Sequence, residues 1–70
     1  MRTVKIIIES RALAQMCKLG IGEPISLYPG TGPMGHELYL FEISEDSFKK
    51  VTSWLTKAGL YHFRKENIDS

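Results

Sequence analysis

Glu37-Leu38-Tyr39-Leu40-Phe41-Glu42-Ile43-Ser44-Glu45-Asp46 decides how this chain folds, because it carries a strand, a choice of face and a helix start. Tyr39, Phe41 and Ile43 fall on one side of the strand; Leu38, Leu40 and Glu42 fall on the other. The alternation stops at Ser44, whose hydroxyl suits a helix N-cap. Glu45 and Asp46 then sit at the positive end of the helix dipole. Ile43 before the cap and Phe48 after it match a hydrophobic staple. That staple turns Ile43 toward the helix, and with it Tyr39 and Phe41, because alternate side chains share a face. Phe48, Val51, Leu55 and Ala58 continue as the buried stripe, with Trp54 beside it. Gly59 ends the helix in the left-handed conformation, and Leu60 packs back on Leu55.

Working outward, Thr3 to Glu9 is a second apolar strand, with Val4, Ile6 and Ile8 on one face and Lys5, Ile7 and Glu9 on the other. Ile7 leaves both faces partly apolar, which marks a central strand. Ser10 reads as the N-cap of a short helix. Leu13, Met16 and Cys17 form its apolar stripe, with Cys17 as a small buried hydrophobe. Gly20 closes it, with Ile21 folding back on Met16. Pro24 opens a short strand, Ile25 to Tyr28; proline cannot donate to a ladder, so this strand belongs at an edge. Pro29-Gly30-Thr31-Gly32-Pro33-Met34-Gly35-His36 is the connecting loop. It holds three of the six glycines and two of the three prolines, a composition that makes it exposed. Tyr61 to Arg64 alternates as a last strand, and Lys65 to Ser70 is a polar tail.

Strand, helix, strand, strand, helix, strand is the α+β, ferredoxin-like βαββαβ order. It implies a four-stranded antiparallel sheet with two helices on one face, in a single domain of residues 1–70. The two most apolar strands are the first and third, which that order places at the centre.

The chain has 70 residues, and a domain of this size buries a marginal core. Cys17 is the only cysteine, which excludes an internal disulfide and fits a reducing, cytoplasmic location. No signal-peptide pattern and no bilayer-length apolar run is present, so no membrane role is expected. Net charge is +1, from nine basic and eight acidic residues. That lacks the basic excess with which proteins neutralise nucleic-acid phosphates.

Gly30-Thr31-Gly32-Pro33-Met34-Gly35 matches G-x-G-x-x-G, but a dinucleotide fingerprint needs a helix after it, and here a strand follows. His36 and His62 are the only histidines and lack metal-ligand spacing, so no metal or cofactor is expected. No serine–histidine arrangement or carboxylate pair reads as catalytic, so the chain is not read as an enzyme. The more informative feature is the sheet face without helices. Ile7, Leu38 and Leu40 are expected to emerge there as an apolar patch, flanked by Tyr28 and His62, with Lys5 and Glu42 as a polar rim. Burial against a protein partner or a second copy of the chain is the expectation.

The order of elements, together with Ala12-Leu13-Ala14 and Lys57-Ala58-Gly59-Leu60, resembles the amino-acid-sensing ACT domains. That resemblance implies a small-ligand or nucleotide site as the alternative, using Gly30, Thr31, Gly32, Gly35 and His36, with Ser10 and Arg11 as an anion-binding helix start. The leading expectation is a small non-enzymatic regulator, adaptor or inhibitor, of the kind that viruses of bacteria also carry.

Overall fold

The structure, a computed structural model, describes residues 2–65. The chain forms β1 (Thr3–Glu9), a 3-10 turn (Ser10–Ala12), α1 (Leu13–Lys18), β2 (Ser26–Thr31), a second 3-10 turn (Pro33–Gly35), β3 (Glu37–Ser44), α2 (Glu45–Ala58) and β4 (His62–Lys65). The fold is α+β, with one four-stranded antiparallel sheet in the order β2-β3-β1-β4 and two helices. The two most apolar strands are central, as their sequences require. β1 pairs with β3 along its whole length, from Thr3 opposite Ser44 to Glu9 opposite Leu38.

Both helices pack on one face. Ile6, Ile8, Phe41 and Ile43 from the sheet form one buried cluster with Ala12 and Met16 from the first helical segment and Val51 and Leu55 from α2. α2 begins where the staple and cap place it. Ser44 Oγ accepts from the Ser47 N–H at 3.2 Å, and Phe48 packs against the core. Gly59 closes α2 at φ 72°, where the Leu60 N–H donates to Leu55 O at 3.0 Å. Gly20 closes α1 in the same way, with the Ile21 N–H donating to Met16 O at 3.0 Å. Both are left-handed caps that glycine enters without steric penalty.

Several expectations are corrected. Ser10 is not a side-chain cap: it lies inside the 3-10 turn, and its hydroxyl caps nothing there. Cys17 is exposed. Ala12 and Met16, four residues apart, carry the buried face of this segment, and Cys17 is rotated about 100° from Met16. Ala58, in the last turn of α2, is also exposed. β2 continues through Pro29 and Gly30 to Thr31, where the register shifts between Tyr28 and Thr31, so the connection to β3 is only 32–36. Lys65 belongs to β4 and pairs with Lys5; the remainder of the expected tail lies outside the described residues.

Leu55 is fully buried at the centre of the cluster. Leu55→Ala is expected to cost about 2–5 kcal/mol. In a domain of this size that is a large share of total stability, and the urea midpoint should fall accordingly. Cys17, by contrast, should react with thiol reagents about as fast in the native protein as in denaturant, and Cys17→Ala should leave the midpoint where it was.

Candidate functional site

The face opposite the helices is not an open patch. Ile7 is 0% exposed and Leu38 is 5% exposed, although no helix lies over them. Their cover comes from the edge strands. Tyr28 on β2 and Phe63 on β4 bring their rings to 5.9 Å, edge to face at 76°. Two strands separate β2 from β4, a span of about 14 Å at ordinary strand spacing. The two side chains therefore lean inward across β3 and β1 until they meet. Tyr61 adds a second edge-to-face contact with Phe63, at 5.7 Å and 62°. Such pairs add to the stabilisation that their burial already provides. Leu40, opposite Ile7, is half-buried.

The register of β4 explains why the expected patch is filled. Ile7 pairs with Phe63 and Ile8 with His62. Directly opposed residues share a face, so Phe63 lies beside Ile7 while His62 lies on the helix side. The expectation had placed His62 on the open face, a one-residue error that exchanged an imidazole for a phenyl ring. His62 instead has Nδ1 2.9 Å from Leu60 O. Tyr28, Lys5, Leu38 and Leu40 do share the open face, and Lys5 stands opposite Glu42.

Glu9 holds this register. It is the only buried charged residue among those described. Its backbone N–H donates to Tyr61 O at 3.1 Å, and its Oε2 accepts from the Tyr61 N–H at 2.6 Å. Its two carboxylate oxygens also accept from Nε and Nη2 of Arg11, forming an ion pair. The Arg11 guanidinium holds the Glu9 carboxyl below its usual range; burial opposes this, and the Tyr61 amide, the Arg11 charge and His36 assist. Arg11 is thus engaged within the chain, and the helix after it has only six residues, so Ser10 and Arg11 do not form a free anion-binding helix end.

The glycine loop is closed on itself. The Gly32 N–H donates to His36 O at 2.7 Å, the Gly35 N–H to Gly32 O at 3.2 Å, and the His36 N–H to Pro33 O at 3.2 Å. A phosphate cradle works through unpaired amides, and these three have partners. Gly30 and Thr31 belong to β2 and stand apart from that turn. Gly32 approaches the cover closely: a Cβ there would lie 2.9 Å from Leu38 Cδ2 and 3.6 Å from Tyr61 Cδ2, so the Leu38 side chain would have to shift. The loop backbone thus seals the end of the aromatic cover. Among the described residues there is no pocket and no group of three or more potential metal ligands, and no helix is long and apolar enough to cross a membrane.

Apart from Tyr61 at the end of this cover, what remains exposed and apolar lies elsewhere. Ile25 is 55% exposed, Leu27 57% and Met34 87%. Leu27 pairs with Tyr39, so it sits on the helix side of the sheet and is nonetheless left uncovered. Met34 adopts φ 59°, a left-handed conformation that costs a non-glycine residue about 1–2 kcal/mol. Residues 24–36 carry no acidic or basic charge apart from His36. Edge strands are ordinarily protected by charge. β4, the other edge, has Arg64 and Lys65. β2 has none. No family model matches the chain, nor does any curated protein or solved structure.

Glu9 yields a pH prediction. Its folded pKa lies below the unfolded value, so its contribution is complete above the ordinary glutamate range and is lost as pH falls through the folded pKa. The wild-type melting temperature should therefore fall more steeply on acidification from neutral pH than that of Glu9→Gln. Parallel acid limbs for the two proteins would remove the ion pair from the account of stability.

Proposed function

We propose that this protein is a ferredoxin-like, non-enzymatic binding module, a regulator, adaptor or inhibitor acting in the cytoplasm on a protein partner or on its own copy. The topology supports the fold assignment: the strands and helices alternate in the split βαβ order, with the first and third strands central. The surface it uses is the β2 edge and the loop after it, because the face opposite the helices is filled by the chain's own aromatic rings.

One observation carries this reading: an uncharged edge segment displays Ile25, just before β2, and Leu27, within it, to solvent, and the loop that follows displays Met34. Edges of this kind are templates for added strands, with backbone bonds supplying affinity and alternate side chains supplying selectivity. Met34 strengthens it. A large apolar side chain held outward in a strained conformation is a burden on a free monomer, and such strain concentrates at contact sites. Glu9, the one buried carboxylate among the described residues, and Arg11 are committed to each other and to Tyr61, which fits a structural role better than acid–base chemistry. The exposed Cys17 thiol suits a reducing compartment.

The test separates stability from binding. Met34→Gly should raise thermal stability, by up to about 1 kcal/mol from relief of the left-handed penalty. The same change, and Leu27→Glu, should weaken partner binding. A photo-reactive residue at position 34 should cross-link to protein in an extract of the source organism, and Leu27→Glu should suppress that product. Cross-linking that is unchanged by Leu27→Glu, or no greater than from position 50 on the helix surface, would refute the assignment.

A further inference from the structure

We infer that the aromatic face of the sheet, opposite the helices, is a stacking platform for a short single-stranded nucleic acid. This goes beyond the edge-binding reading and uses the other side of the sheet from Leu27. Three rings lie together there, Tyr28, Phe63 and Tyr61, joined by two edge-to-face contacts. Ile7 and Leu38 beneath them are buried, yet none of the rings is: Tyr28 and Phe63 are half-buried and Tyr61 is 40% exposed. One side of the cluster is thus against the sheet and the other is in water. Such a surface is too uneven for a flat apolar partner. Bases stack on rings one at a time, and every base has a π-face to offer.

Charge selects this occupant. Lys5 stands directly opposite Lys65, two residues along the strands from Ile7 and Phe63 and on the same face. Two residues span about 7 Å of strand, so the lysine pair borders the rings. Like charges in directly opposed positions destabilise a sheet. Neither lysine forms an ion pair among the described residues. Glu42, on the other side of Lys5, accepts from the Thr3 hydroxyl at 3.1 Å. A strand laid across the rings brings a phosphate to this pair and relieves the repulsion. An apolar peptide would leave the two lysines as they are, and an acidic peptide would leave the rings without planar partners. At the far end of the face the Arg11 charge is already matched by Glu9. Few phosphates are therefore neutralised, which accords with a net charge of +1: stacked bases carry the affinity, and counterion release adds little.

The test is fluorescence anisotropy with a labelled oligo-uridine, an oligo-thymidine and a duplex of the same length. Both single strands should bind, because rings and lysines meet base and phosphate rather than sugar. The duplex, whose bases are stacked on one another, should bind much more weakly. Tyr61→Leu keeps an apolar side chain at the end of the cover and removes a ring. It should weaken binding roughly 5- to 150-fold, the worth of one base–aromatic stack, with circular dichroism unchanged. Lys65→Gln should weaken binding, lower the slope of log affinity against log salt by about 0.7, and raise the melting temperature by removing the repulsion from Lys5. Lys50→Gln, on the helix surface, should leave the affinity as it was. No binding of either single strand at millimolar protein overturns the proposal. So does a duplex bound as tightly as the single strands, or a folded Tyr61→Leu protein that binds like the wild type. An unchanged salt slope in Lys65→Gln overturns it independently of any effect of the Tyr61 change on folding. Cross-linking from position 34 does not depend on these results, so the two readings fail separately.

Discussion

The clasp between Glu9 and Tyr61 is the constraint on which the rest of this structure depends. β4 is short, lies at an edge and carries two charges, so its own side chains specify its register weakly. Glu9 supplies what β4 lacks. One residue bonds both backbone groups of Tyr61, one through its own N–H and the other through its carboxylate. Arg11 completes the arrangement by matching the carboxylate's charge, so a buried ion does not stand alone. With Tyr61 fixed, Phe63 must fall beside Ile7, and the aromatic cover over the sheet follows.

That cover bears on how so small a domain can be stable. A sheet with helices on one face has a single core, and at 70 residues one core is marginal. Here the second face has a thin core of its own, in which Ile7 and Leu38 lie under Tyr28, Phe63 and Tyr61. Aromatic rings suit this task because they reach far from the backbone and lose little rotamer freedom. The same economy has a consequence for function. A sheet face filled by its own rings is not a flat apolar surface, and apart from Tyr61 the large apolar residues left in solvent are at the β2 edge and in the loop after it.

The two edges of the sheet are treated differently. β4 is closed to strand addition by Arg64 and Lys65, and Arg64 also lies over the Phe48 ring at 5.6 Å. β2 has no charge, and five of its six residues are exposed, with only Tyr28 half-buried. Charge, most often a lysine, is the ordinary protection of such an edge, and β2 lacks it.

The sequence by itself determined the elements whose signals are local. The staple of Ile43 and Phe48, the Ser44 cap and the glycines at 20 and 59 each act within a few residues, and each lies where its pattern puts it. The faces of β1 and β3 were legible for the same reason: long alternation leaves no freedom of register. What only the tertiary structure decided is what depends on pairing between distant segments. Phe63 rather than His62 faces Ile7 because Glu9 bonds to Tyr61 across 52 positions of sequence. The clue in the chain was Glu9 itself, a carboxylate at the end of an apolar central strand with an arginine two residues on. Cys17 lay on an apparent stripe, yet α1 is too short for a stripe to be measured, and Ala12 and Met16 took the buried side. Period two and period 3.6 say which residues share a face; only the partner across the sheet says which face is covered.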